Sequence, residues 1–335
     1  MPSRIRLEIE KSTVLIRRWL GYALYDWTFK MAKSKRLVTR VAILIQGYAI
    51  WAGFSRSLIW PLMWPKSQYL LFLFVCLLYL LGDRVMNAIL TSEFVRKTQL
   101  EADQIAARQI QKTLQPEKLE ELVGYEMEVF YQPYRAVGGD YFDVIDLPGN
   151  RTLLAIADVS GKGMAAALLA ANIQALVRSL VNAQAGLQAL AGQINKHLCH
   201  YTPSNRFATA VFMVLNRDSG DLIFVNAGHN APMVYGESSA TPLGATGIPM
   251  GLRSNAEYEA GTAFIPFGGF LLIFTDGLTD SIPGNDTEGR LRDAMADNPV
   301  KTMSNLKSLI DPRFNEDDIT ILLLRRTEAP NLSAQ

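Results

Sequence analysis

Two stretches without charge, residues 41–54 and 68–82, stand out in the pattern of apolar and polar positions along the chain. Each is shorter than the ~20 residues that cross a bilayer comfortably. Extension through Arg56 to Trp60, and from Met63 or as far as Met86, gives spanning length. Trp51, Trp60, Trp64 and Tyr69 then take interfacial positions, and Pro61 and Pro65 fall in the turn, where a missing N–H costs little. The pattern predicts a tight two-helix membrane hairpin within residues 1–90; its rival is a pair of apolar helices buried in a soluble domain. Residues 92–114 lack Gly and Pro and place Phe94, Leu100, Ile105, Ile110 and Leu114 at near-helical spacing without a strict heptad. Residues 91–116 therefore read as a helical linker or stalk, which pairs with its copy in a homodimer or packs on the next domain. From residue 117 to 326 the pattern changes to short β-like runs separated by turns, with an Ala-rich helix over 164–181, and residues 327–335 read as a flexible tail.

A chain of 335 residues accommodates one large domain and an accessory segment. The net charge of +1, from 33 basic and 32 acidic residues, gives no global field toward nucleic acid, which is not expected as a partner. The charge is unevenly placed: between Arg4 and Arg40 basic residues far outnumber Glu8, Glu10 and Asp26. With Arg84, Arg96 and Lys97 on the other flank, the positive-inside rule puts both ends of the hairpin in the cytoplasm. The expected location is the inner (cytoplasmic) membrane, with the following domain in the cytoplasm. The long charged lead and the lack of a small-residue cleavage site argue against a signal peptide. Residues 14–31 read as an amphipathic helix on the inner leaflet or as an ordinary surface helix. Cys76 and Cys199 give no disulfide framework, and the nearby His197 and His200 lack a second cluster to complete a zinc site.

The acidic residues of the last two thirds fall where strands end. Residues 126–132 lead through Arg135 into Val137-Gly138-Gly139-Asp140-Tyr141-Phe142-Asp143. Residues 152–157 end in Asp158-Val159-Ser160-Gly161-Lys162-Gly163, residues 270–274 in Thr275-Asp276-Gly277-Leu278-Thr279-Asp280, and Asp317-Asp318-Ile319-Thr320 opens residues 321–324. A lone Asp after a strand is usually a turn former. Several in one domain, without matching His or Cys, suit a hard ion such as Mg²⁺ or Mn²⁺. Two ions held by a shared carboxylate can activate water and neutralise a phosphoryl group. Calcium fits less well, since no twelve-residue loop carries ligands at alternating positions.

Together with Gln111-Lys112-Thr113-Leu114-Gln115-Pro116, Phe207-Ala208-Thr209-Ala210 and Asn226-Ala227-Gly228-His229-Asn230-Ala231-Pro232, these blocks resemble the SpoIIE/RsbU branch of the PPM (protein phosphatase 2C-like) phosphatases over about residues 105–326. The resemblance implies an α+β fold, an α-β-β-α sandwich of two antiparallel sheets with two Mg²⁺ or Mn²⁺ ions at one end. It implies metal-binding roles for Asp140, Asp158, Asp276 and Asp317, with Asp158 bridging both ions and the Val159 carbonyl as a backbone ligand. Arg135 stands where relatives of this fold place a phosphate-binding arginine, a role that a guanidinium fork suits. Asp143, Asp280 and Asp318, each beside an expected ligand, are further ligands or else turn caps and hydrogen-bond acceptors around the site. Lys162 steers the phosphoprotein or is a solvated loop residue. His229 could serve as a general acid, but its turn reads better as a hairpin in which the imidazole bonds to backbone. Animal-type members carry a histidine just after the bridging aspartate; Val159-Ser160 stands there in this chain, which leaves leaving-group protonation to a bound water or the product serine.

The expected activity is hydrolysis of phosphoserine or phosphothreonine on a protein by metal-activated water, without a covalent intermediate. The resemblance points to a phosphorylated STAS-type anti-sigma-factor antagonist, or another bacterial signalling protein, as substrate. Two readings compete with it: a catalytically silent module that binds a phosphoprotein, and a membrane adaptor that oligomerises through the stalk.

Overall fold

The structure is a computed structural model that describes residues 41, 44–48, 66–116, 122–181, 186–203, 205–237 and 239–327. The chain divides into two compact units after Glu101. The helix expected over 14–31, most of the first apolar run, the hairpin turn at Pro61 and Pro65, and all of the tail but Thr327 lie outside the described residues.

One helix, α1 (Lys66–Leu114), runs for 49 residues and joins the apolar run over 68–82 to the expected linker helix. The apolar run 68–82 passes without a break into the amphipathic segment. Only Gly82 interrupts good helix formers between Pro65 and Pro116, and one glycine costs about 1 kcal/mol, too little to end a helix. Among the described residues no helix is long and apolar enough to cross a membrane.

The second unit is built from period-two strands. Its two five-stranded sheets have the orders β1-β10-β9-β6-β7 and β2-β3-β4-β5-β8. The first contains β1 (Tyr125–Gln132), β6 (Met233–Tyr235), β7 (Ala240–Pro242), β9 (Phe270–Phe274) and β10 (Ile319–Arg326). The second contains β2 (Tyr141–Leu147), β3 (Arg151–Val159), β4 (Ala208–Asn216), β5 (Asp221–Ala227) and β8 (Gly261–Phe264). Every pairing between these strands is antiparallel.

Apolar runs with both faces buried dictate four layers. In β10, Leu322 and Leu324 enter the core between the sheets, whereas Ile319, Ile321 and Leu323 face a second core. That second core is closed by α4 (Asp276–Asp280), α5 (Thr287–Asp293) and α6 (Pro299–Leu309). On the other sheet, Leu154 and Ile156 of β3 point between the sheets, while Leu153, Ala155 and Ala157 pack under α2 (Met164–Leu180) and α3 (Leu187–Tyr201). The result is the expected α-β-β-α sandwich. Strands read as continuous apolar runs here because helices cover the outer faces.

Asp143 anchors α2 to β2. Its carboxylate, fully buried, accepts from Arg178 Nε at 2.7 Å and Nη2 at 2.8 Å, from the Tyr141 hydroxyl at 3.2 Å and from the Val144 amide at 3.0 Å. Arg178→Ala is expected to destabilise the protein by about 2 kcal/mol in urea unfolding, because it strands a buried carboxylate. The double change with Asp143→Ala should cost no more than the single one. A loss for Arg178→Ala well under 1 kcal/mol would contradict the anchoring role.

Candidate metal centre

Strand register brings the acidic motifs to one end of the sandwich. Asp140 directly precedes β2, whose Tyr141 faces Ala157 of β3. The next residue of β3, Asp158, faces Thr209 of β4. In the other sheet Phe274, the last residue of β9, faces Ile321 of β10, so Asp276 at the start of α4 and Asp317 and Asp318 before β10 reach the same end. The turn after Asp158 requires glycine at positions 161 and 163, where φ is +94° and +82°. At Gly277 any side chain would collide with the Asp318 carbonyl, so glycine lets α4 start directly against β10.

Like charges, buried at Asp140 and half-buried at Asp158, Asp276 and Asp317, dominate the electrostatics. Burial raises the Asp158 carboxyl to about 7, and Asp276, Asp317 and Asp318 add to the rise, while a hydrogen bond with Asp140 works against it. Asp140 lies well above the usual carboxylate range, first through burial and then through Asp158. Its Oδ2 accepts from the hydroxyls of Thr275 at 2.9 Å and Thr320 at 2.5 Å, which aim it and partly offset that rise. Asp276 is raised by burial and then by Asp317 and Asp280. Asp140, Asp158, Asp276 and Asp317 thus form one electrostatic cluster around Asp158. Among the described residues no group of three His, Cys, Asp or Glu side chains already stands in ligating geometry. Asp140 is held by its threonines, and Asp317 pairs with Lys162 Nζ at 3.0 Å and accepts from the Asp318 amide at 2.9 Å. The donors are all oxygens and their mutual repulsion is what a divalent cation relieves, so the set fits Mg²⁺ or Mn²⁺.

The remaining candidates divide by position. Asp318, expected as a ligand or an acceptor, accepts from the backbone amides of Tyr134 at 2.7 Å and Gly139 at 2.5 Å, and so holds the Gly-Gly-Asp loop. Asp143 belongs to the Arg178 anchor. Asp280 is exposed at the end of α4 and reaches the cluster only through its charge on Asp276. Arg135 is exposed, and its Nη1 lies 3.6 Å from where a Cβ on Gly163 would stand, beside the Asp158 turn. The Val159 carbonyl faces Gly139, 3.2 Å from where its Cβ would be. Sequence reasoning assigned no role to Thr275 and Thr320, although both lie in the quoted motifs. It also passed over Arg206, whose Nη1 donates to the Ser160 carbonyl at 2.6 Å while Ser160 Oγ accepts from the Phe207 amide at 2.9 Å. These contacts pin the turn that follows Asp158 and Val159.

His229 is buried, beside Thr209, the β4 partner of Asp158. Its Nδ1 is 2.8 Å from the Thr209 hydroxyl and its Nε2 3.1 Å from the Phe274 carbonyl, a geometry satisfied by a neutral ring that donates from Nε2. Burial lowers its pKa to about 4, with the Phe274 carbonyl pulling the other way. The imidazole thus braces β4 against the end of β9, and bonds a side chain as well as backbone. A folded-state pKa below 6.5 means that its contribution is present above about pH 6.5 and is lost as pH falls toward 4. In chelator, the stability gap between wild type and His229→Gln should narrow by about 2 kcal/mol from pH 7.5 to 5 in urea titrations. A gap independent of pH would show that the ring titrates normally.

Residues 148–327 match the family model described as Stage II sporulation protein E (SpoIIE). Protein IcfG of Synechocystis sp. is 26% identical over 258 residues, covering 65% of this chain and 40% of IcfG. Phosphoserine phosphatase RsbU of Bacillus subtilis is 24% identical over 232 residues, covering 66% of this chain and 69% of RsbU. The chain therefore spans less than half of IcfG and about two thirds of RsbU. Among solved structures, the SiaA-PP2C domain of Pseudomonas aeruginosa shares the fold with a TM-score of 0.59 at 19% identity, covering 69% of this chain and 98% of that one. RsbX in complex with magnesium shares it with a TM-score of 0.51 at 19% identity, covering 62% of this chain and 98% of that one. The family match runs from just before β3 to the end of β10, over more than half of the sequence, and by it the chain belongs to the SpoIIE family of PPM-type serine phosphatases.

Proposed function

We propose that this chain hydrolyses phosphoserine or phosphothreonine on a signalling protein, using two Mg²⁺ or Mn²⁺ ions at the Asp158 cluster. The observation that carries the reading is the convergence of Asp140, Asp158, Asp276 and Asp317 on one end of the sandwich, where burial and mutual repulsion disfavour their charged forms until a cation is bound. Bound there, the ions supply an activated water and neutralise phosphoryl charge. Asp158, with Asp140, Asp276, Asp317 and the Val159 carbonyl, would hold them. Thr275 and Thr320 aim Asp140, and Asp318 fixes the loop that carries it. Arg135 offers its guanidinium to the phosphoryl oxygens and orients them. Neither cysteine lies in a basic phosphate loop, so no thiol is assigned as nucleophile.

RsbU, a phosphoserine phosphatase by name, supports a phosphoserine substrate, and the motif resemblance supports a phosphorylated STAS-type antagonist of an anti-sigma factor as its carrier. A panel of serine-phosphorylated STAS proteins, assayed for phosphate release with Mn²⁺, tests this. Turnover of one of them, well above that of an unrelated phosphoprotein, is expected. Binding without release would favour the silent module, and equal turnover of all would remove the STAS assignment.

Ile105 and Ile110, 60% and 63% exposed on α1, support pairing of this helix with a second copy. The apolar runs within residues 1–90 support attachment to the cytoplasmic membrane with the phosphatase domain in the cytoplasm. The full chain should then sediment with membranes and be released by detergent but not by salt. Full recovery in the soluble fraction without detergent would remove the anchor.

A further inference from the structure

Lys162 sits on the turn between β3 and α2, and its ammonium is engaged from three sides. It pairs with Asp317 Oδ2 at 3.0 Å, donates to the Glu316 carbonyl, and stands 5.2 Å from the centroid of the Tyr134 ring. Tyr134 lies in the β1–β2 loop, Lys162 in the β3–α2 turn, and Glu316 and Asp317 before β10, so one side chain ties three loops around the acidic cluster. A solvated loop lysine has no need of such partners, and holding its long side chain in one place costs rotamer entropy. Its charge also reaches Asp276, whose carboxyl it pulls down against the lifting effect of burial and the other carboxylates. Asp317 already commits its other oxygen, Oδ1, to the Asp318 amide at 2.9 Å. Oδ2 can therefore turn to a second cation only at the expense of the ammonium, since two cations a few ångströms apart repel each other.

We propose that Lys162 is an internal counter-ion of the acidic cluster that competes with the divalent ion for Asp317 and thereby raises the metal concentration at which the site fills. This rests on the assignment of Asp317 as a metal ligand under Proposed function. Both partners are about one third exposed, so the competition is modest, of the size of a surface ion pair.

Calorimetric titration of Mn²⁺ into the chelator-treated full chain tests the inference without reference to turnover. Lys162→Ala should bind Mn²⁺ roughly two- to fivefold more tightly than wild type, with a difference that shrinks as ionic strength rises. Lys162→Arg, which keeps the charge, should stay closer to wild type than Lys162→Ala does. Equal or weaker binding by Lys162→Ala overturns the inference while leaving the metal site in place. Absence of Mn²⁺ binding by both wild type and variant overturns the metal assignment itself, and this inference with it.

Discussion

Asp158→Asn is expected to lower kcat/KM on a serine-phosphorylated protein by at least about a thousandfold, and at the same time to raise the melting temperature of the chelator-treated protein. A thousandfold loss corresponds to about 4 kcal/mol of transition-state stabilisation, within what metal chemistry supplies. The amide keeps the shape of the carboxylate but removes the central charge of the cluster. Stability moves the other way because folding raises the Asp158 carboxyl from 3.8 to about 7. With a raised folded-state value, its contribution is present in full below about pH 4 and is lost as pH rises through about 7. At pH 7.5 the charged carboxylate therefore burdens the metal-free fold, and Asn lifts that burden. A gain of roughly 5 °C in chelator at pH 7.5, fading as pH falls toward 5, is the expected calorimetric result. Added Mn²⁺ should reverse the order of the two proteins, since a ligand stabilises the form that binds it. A variant that retains activity, or that melts lower than wild type in chelator, contradicts the role given to Asp158.

Asp318→Ala is expected to have the largest effect on folding among the site variants, about 3 kcal/mol in urea unfolding, with activity falling alongside. Its carboxylate takes the amides of Tyr134 and Gly139, and the side chain is buried, so truncation leaves two donors without their partner, that of Gly139 buried. Asp318→Asn should rescue little. An amide can accept from one of those N–H groups but must present its own NH₂ to the other. The expected signature is a loss shared by stability and Mn²⁺ affinity, because the same loop carries Asp140. Wild-type stability in Asp318→Asn would show that a single acceptor suffices.

The strands that end near Asp158 and before Asp276, and the one that follows Asp317, were legible in the sequence for one reason. Each acidic residue closes or opens an apolar run, three of them close to a turn glycine (Gly139, Gly161 and Gly277), and antiparallel pairing of those runs carries their ends to one edge. The roles of Asp143 and Asp318 were not legible, since each depends on a distant partner: Arg178 lies 35 residues from Asp143, and Gly139 lies 179 from Asp318. Equivalent motif positions thus conceal a helix anchor in one case and a loop clamp in the other. Thr275 and Thr320 were visible beside their aspartates, but only the β9–β10 register shows that both hydroxyls converge on Asp140. Arg206 has no local signal, because its acceptor is the Ser160 carbonyl 46 residues away. The division of α1 into two elements followed a change of pattern near Gly82. Hydropathy changes there from apolar to amphipathic while the backbone meets no breaker, and helix continuity answers to the backbone.

Asp140, Asp158, Asp276 and Asp317 are assigned to divalent ions, and anomalous diffraction from crystals grown with Mn²⁺ reads that assignment without reference to turnover. Two anomalous peaks are expected at this end of the sandwich, both within ligand distance of Asp158, at roughly 2.0 to 2.3 Å. Peaks elsewhere, or none at Asp158 in crystals soaked to saturation, would contradict it.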